Sequence, residues 1–138
     1  MKLTTHLIAI FVLLGSYLEQ SQVKTFDTFN KIAVLEFDKD VLDYGTIPQY
    51  SDGKREFIFT NTGNAPLVIA NVKPSCGCTV ANYTKEPILP GEKGKIDVSY
   101  DTKRLGAFRK SIRVYSNSKE NNETFVIKGN VVKKDNIQ

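Results

Sequence analysis

Cys76, Gly77 and Cys78 form the one string in this 138-residue sequence whose residue types invite chemistry, and they hold its entire cysteine complement. Residues two apart in an extended segment face the same side, so the two sulfurs can meet. Three chemistries follow. As thiols or as a local disulfide, the pair packs as small hydrophobes at a strand start and fills the end of a core. A bridge across so short a loop adds little stability, because the entropic gain grows with loop length. As an exposed bridge, the pair exchanges with thiols and acts as a redox couple. As thiolates, the two sulfurs suit Cu(I) or Zn(II). Zinc wants four ligands, so a metal site needs carboxylates, two-coordinate Cu(I), or the cysteines of a second chain. Cys76 and Cys78 are therefore at once the candidate disulfide or redox pair and the candidate metal ligands. Packing leads among the three. Lys73 and Lys85 are the close cations in sequence, and no histidine or helix N-terminus stands nearby to lower a thiol pKa.

The rest of the sequence argues against an enzyme. There is one histidine, His6, one methionine, Met1, and no tryptophan. Both His6 and Met1 lie in an expected export signal, so the mature chain is expected to lack imidazole and thioether groups. That excludes Ser-His-Asp or Cys-His catalysis, histidine-ligated metals and haem with a His or Met axial ligand. Gly91 and Gly94 belong to a turn, not to a phosphate-cradling loop between strand and helix. Asp38, Asp40, Asp43, Asp97 and Asp101 lack the spacing of a calcium loop. The sequons at Asn82 and Asn122 are read as chance matches. No catalytic residue and no cofactor are expected.

Stepping along the chain, residues 1–21 look like an address. Lys2 is a short positive region, and Leu7–Leu14 is an unbroken apolar run. Eight residues suit a signal-peptide core and fall short of the roughly 20 a membrane span needs. No cysteine follows the run, which argues against lipoprotein processing. A periplasmic, cell-envelope or secreted location follows, with no transmembrane span beyond the signal. Such compartments permit disulfides. Residues 22–31 read as a linker, and 32–134 as one domain. The formal net charge of +4 is spread over separated pairs such as Lys54–Arg55 and Arg109–Lys110. No basic run of five occurs, so nucleic acid is not an expected partner.

The domain shows period two. Ala33, Leu35 and Phe37 share a face, as do Phe57 and Phe59. Ile96, Val98 and Tyr100 alternate with Lys95, Asp97 and Ser99. Phe108, Ile112 and Val114 oppose Arg109, Ser111 and Arg113. Phe125, Ile127 and Val131 lie together with Gly129 between them. Such alternation describes half-buried strands. Asp52-Gly53, Asn61-Thr62-Gly63-Asn64, Pro90-Gly91, Leu105-Gly106 and 116–122 punctuate the runs as turns. About seven short strands predict an all-β, immunoglobulin-like antiparallel β-sandwich. Its core aromatics would be Phe37, Phe57, Phe59, Tyr100, Phe108 and Phe125. Without a long-range cysteine pair or a core tryptophan, apolar packing alone must hold the sheets together.

The string Phe59-Thr60-Asn61-Thr62-Gly63-Asn64-Ala65-Pro66-Leu67-Val68-Ile69 precedes Ser75-Cys76-Gly77-Cys78-Thr79. Pro90-Gly91-Glu92, Ile96–Thr102, Gly106, Ser116-Asn117 and Ile127–Val131 follow in order. Across residues 34–132 this series resembles a family of exported bacterial domains of unknown function with a C-G-C-T core. That family is distantly similar to Hydin-type and major-sperm-protein-type sandwiches. The resemblance implies an immunoglobulin-like fold and export, and no activity. The expected function is a non-catalytic module for protein interaction or envelope structure, partnered by another envelope or secreted protein. Its candidate surfaces are the Lys73–Val80 loop and the Leu105–Arg109 turn. The alternative is a periplasmic thiol-redox or copper- or zinc-binding protein acting through Cys76 and Cys78.

Overall fold

The structure, a computed structural model, describes residues 30–136. The expected signal peptide and most of the expected linker lie outside the described residues. Eight strands follow in order: β1 (Leu35–Phe37), β2 (Val41–Pro48), β3 (Lys54–Asn61), β4 (Ile69–Pro74), β5 (Thr79–Tyr83), β6 (Lys93–Tyr100), β7 (Gly106–Ser116) and β8 (Asn122–Val132). One 3-10 turn, Lys134–Asn136, closes the described chain.

Two four-stranded sheets face each other, one ordered β1-β3-β6-β5 and the other β2-β8-β7-β4. The all-β, immunoglobulin-like sandwich is the fold that the alternation of residues predicts. It has one strand more than the seven expected, and one pair is parallel. The first segment starts in one sheet as β1 and crosses to the other as β2, where it runs parallel to β8. Gly45, with φ 65, breaks the alternation of β2 at a shift in register between Asp43 and Thr46. Left-handed backbone of this kind is the ordinary use of glycine.

The inward faces match the alternating pattern. Ile96 and Val98 on β6, Ile112 and Val114 on β7, and Phe125 and Ile127 on β8 are all at most 1% exposed. Two aromatic stacks join the sheets in place of a disulfide. Phe57 lies on Phe125 with ring centroids 3.8 Å apart, and Tyr100 lies on Phe108 at 3.7 Å. Phe37, only partly buried, sets its edge against both Phe57 and Phe125. Glycines opposite aromatics let the sheets close. Phe59 covers Gly94, and Phe108 covers Gly129, each pair directly opposite in register. A Cβ on Gly94 would come within 2.3 Å of the Phe59 ring, and one on Gly129 within 2.7 Å of Phe108.

One end of the sandwich is closed by a buried amide. Asn61 is fully buried. Its Oδ1 accepts from the N–H of Gly63 (3.0 Å) and of Val34 (3.4 Å). Its Nδ2 donates to the carbonyls of Ala65 (2.8 Å) and Ile88 (2.9 Å). Its backbone N–H donates to the Glu92 carbonyl, and its own carbonyl accepts from Gly91 N–H. Gly91, at φ 82, sits in the Pro90-Gly91 turn, which Glu92 N–H closes on the Leu89 carbonyl. Among the described residues, no buried side-chain nitrogen or oxygen lacks a partner.

Tyr44 is the buried phenol that alternation does not reveal. Its hydroxyl donates to the Gly53 carbonyl at 3.0 Å, and its ring lies edge-on to Phe108. Burial pushes its pKa up to about 12, although the Arg55 guanidinium 4.7 Å above the ring pulls the other way.

Two outcomes check this account. Asn61→Ala strands buried carbonyls and costs about 3 kcal/mol, read by urea denaturation; a cost near zero would contradict the clamp. Tyr44 is protonated more tightly folded than unfolded, so its contribution is complete below the ordinary phenol range and is lost as pH climbs toward about 12. Tyr44→Phe is therefore expected to flatten the alkaline fall in stability. An unchanged alkaline limb would contradict that assignment.

Candidate functional site

The C-G-C string occupies the connection from β4 to β5, where the chain leaves one sheet for the other. Cys76 and Cys78 are joined by a disulfide, with Cα atoms 5.3 Å apart. Cys78 is buried at the end of the core, Cys76 is half-buried, and Gly77 is exposed between them. Thr79 is buried beside the bridge, its Oγ1 3.9 Å from Cys76 Sγ and 4.0 Å from Cys78 Sγ. Bonded to each other, the sulfurs present no thiolate to a metal in this form.

Neighbouring loops hold the string in place. Ser75 N–H donates to the Ser111 carbonyl at 2.9 Å, and Ser111 N–H donates to Ser75 Oγ at 3.2 Å. Asp101 N–H donates to the Cys78 carbonyl at 2.9 Å. The Asp101 carboxylate accepts from Lys103 N–H and pairs with Arg104. Thr102 Oγ1 donates to the Ser51 carbonyl at 2.7 Å, and Tyr50 N–H donates to the Thr102 carbonyl. The C-G-C loop, the β6–β7 loop and the β2–β3 loop thus form one bonded surface at the end opposite Asn61. Both candidate surfaces named from sequence border this end, the first at Cys76–Cys78 and the second at Leu105, while Gly106–Arg109 already belong to β7.

That end displays apolar side chains that sequence reasoning missed or undervalued. Tyr50 is 74% exposed and Leu105 is 49% exposed. Tyr50 also carries φ 65, an uncommon backbone for a bulky residue. Gly106 beside Leu105 has φ 105. Only a positive φ at a non-glycine position could have flagged Tyr50, and sequence does not show φ. Gly77, by contrast, is not there for its backbone. Its φ is not positive, and a Cβ there meets nothing within 4 Å.

The aspartates do not gather. Asp38 pairs with Lys93, Asp97 with Lys95, and Asp43 with Lys128. The Gly45 N–H first, and then Lys128, hold the Asp43 carboxyl below its ordinary range. Among the described residues, no group of three or more His, Cys, Asp or Glu side chains is positioned to hold a metal.

The two facing sheets define an immunoglobulin-like β-sandwich. The chain belongs to the family described as "Protein of unknown function (DUF1573)", whose model matches residues 35–131. Among solved structures it is similar to a protein of unknown function from Porphyromonas gingivalis W83. The TM-score is 0.64 at 18% identity, covering 72% of this chain and 47% of that one. The chain thus spans about half the length of that relative. It is also similar to a human CEP192 PapD-like domain (TM-score 0.57, 9% identity, 74% of this chain and 87% of that one). The YadV chaperone matches with TM-score 0.51 at 13% identity, over 72% of this chain and 52% of that one. At these identities the likeness is one of fold. No curated protein matches the sequence.

A bridge that closes so short a loop restrains the unfolded chain weakly. Reduction, or Cys76→Ser with Cys78→Ser, is expected to cost no more than about 1.5 kcal/mol. Denaturant titration with and without reductant measures this, and unfolding on reduction would contradict it.

Proposed function

We propose that this protein is an exported, non-catalytic sandwich module that binds another envelope or secreted protein through its disulfide-bearing loop end. The observation that carries the reading is the clustering of three hydrogen-bonded loops that display Tyr50 and Leu105 to solvent. Loops on a rigid scaffold are where binding residues concentrate. Exposed aromatic and aliphatic side chains on a fixed frame lose little entropy on contact, which suits an interface anchor. The disulfide fits the same purpose, since it fixes the shape of the C-G-C loop more than it stabilises the fold. Export is supported by the amino-terminal pattern around Leu7–Leu14 and by an oxidised pair, which suits a disulfide-permissive compartment.

A second reading, thiol exchange, is favoured by the half-burial of Cys76 beside an exposed Gly77. A partner thiolate would attack Cys76 Sγ, form a mixed disulfide and release Cys78 as the thiolate.

Affinity capture with the full chain from its own cells, beside fractionation, tests both. The interaction reading expects an extracytoplasmic protein with a specific partner that Tyr50→Ser with Leu105→Ser loses. Paired cysteine-to-serine replacement should weaken that capture without abolishing it. An identical partner set from the loop-end variant would overturn the reading. In the reverse exchange, Cys78→Ser leaves a Cys76 thiolate that attacks a disulfide of an oxidised partner and releases one partner thiolate; a mixed disulfide trapped this way would favour thiol exchange.

A further inference from the structure

The outer faces of the two sheets carry opposite electrostatic designs. On β1, β3 and β6 the outward residues are Lys54, Lys93 and Lys95 against Glu36, Glu56 and Asp97, three of each sign. Lys95 bridges Glu56 at 2.7 Å and Asp97 at 3.4 Å, so even the two facing carboxylates are neutralised. The outward residues of β2, β8, β7 and β4 include Lys73, Arg109, Arg113 and Lys128 against Asp43 alone. Four cations against one carboxylate leave a net charge of +3.

Register makes this face more unusual. Lys73 stands directly opposite Arg113, and Arg109 directly opposite Lys128. Like charges directly opposed across strands are destabilising. Asp43 relieves Lys128 at 3.1 Å. Among the described residues, no carboxylate pairs with Lys73, Arg109 or Arg113.

A shallow groove of about 280 Å³ lies where Lys73 meets Arg113. Ser75, Ser111, Tyr115 and Thr124 also line it. Ser75 Oγ accepts from Ser111 N–H, which leaves its hydroxyl hydrogen free to donate outward. The groove therefore offers two exposed cations and hydroxyl donors, and its walls carry no carboxylate. It runs beside the edge strand β4, whose outer backbone is already largely satisfied: Val72 N–H donates to Asn71 Oδ1, the Ala70 carbonyl accepts from the Tyr83 hydroxyl, and Pro74 has no N–H.

We propose that this face, centred on Lys73 and Arg113, is a second binding surface that takes an acidic polypeptide segment. Side-chain carboxylates would lie in the groove against Lys73 and Arg113. Carboxylates answer the unpaired cations by charge-assisted hydrogen bonds. Alternate side chains of an extended acidic segment point the same way and can present carboxylates to both cations, which cross-strand register holds side by side. The surface is the flat of the sheet, which adjoins the C-G-C loop at Ser75 but includes neither Tyr50 nor Leu105.

The test titrates labelled poly-L-glutamate, and in parallel heparin, into the full chain at low salt, read by fluorescence anisotropy. Poly-L-glutamate should bind and be displaced by added salt. Lys73→Glu with Arg113→Glu should weaken binding by about tenfold or more, the loss of two charge-assisted contacts. Lys54→Glu on the balanced face and Tyr50→Ser at the loop end should bind as the parent does. Circular dichroism should show the reversed-charge variant folded. Equal binding by that variant, no binding of poly-L-glutamate by the parent, or heparin binding without poly-L-glutamate binding would each overturn the proposal.

Discussion

The buried side-chain amide of Asn61 is the constraint on which the arrangement of this sandwich depends. It gives two acceptor contacts to the N–H groups of Val34 and Gly63 and two donor contacts to the carbonyls of Ala65 and Ile88. Only the side-chain amides of Asn and Gln offer two donors and two acceptors on one planar group, and Asn holds its amide closer to the backbone. The contacts tie the segment before β1, the turn after β3 and the segment before β6. Ile32 and Asn64 exchange hydrogen bonds alongside, and a Cβ on Gly63 would come within 2.2 Å of the Ile32 carbonyl. The first segment is thereby fixed in one sheet before it crosses to the other. Because one amide satisfies so many buried groups, this end closes without a disulfide or a tryptophan.

Closing one end frees the other. The aromatic stacks Phe57–Phe125 and Tyr100–Phe108 hold the sheets together between the ends. The end that carries Cys76–Cys78 is therefore spared from stapling the fold. Its loops are bonded to one another at Asp101 and Thr102, with Ser75 held on Ser111 of β7, and leave Tyr50 and Leu105 outside. The disulfide bridges two residues of a single loop, so its effect is local shape. A protein that confines an oxidisable pair to its exposed end can change that surface without risking the core.

Strands with clean alternation were legible from sequence: β1, β3, β6, β7 and β8 bury the faces that their patterns indicate. The others were harder for physical reasons. Gly45 and a register shift interrupt β2, a second shift between Ile69 and Asn71 interrupts β4, and β5 is short. Parallel pairing of β2 with β8 leaves no mark in either strand. Asn61 reads as a turn residue, because asparagine before Thr-Gly-Asn suits a loop, and nothing local reveals that its amide is buried. Cys76 and Cys78 were visible as neighbours, but the company they keep was not. Tyr50 and Leu105 come to that end through bonds between loops distant in sequence. The cations of β4 and β7 look scattered along the chain and become opposed only through cross-strand register.

If the disulfide shapes one end while the Asn61 amide and the aromatic stacks hold the fold, reduction must loosen that end alone. Residue-by-residue amide hydrogen exchange on the oxidised and reduced protein measures this. Reduction is expected to raise exchange in Ser75–Val80 and Asp101–Leu105, with Asn61–Asn64, β6 and β8 as protected as before. Loss of protection across β6, β8 and the Asn61 end on reduction would contradict it.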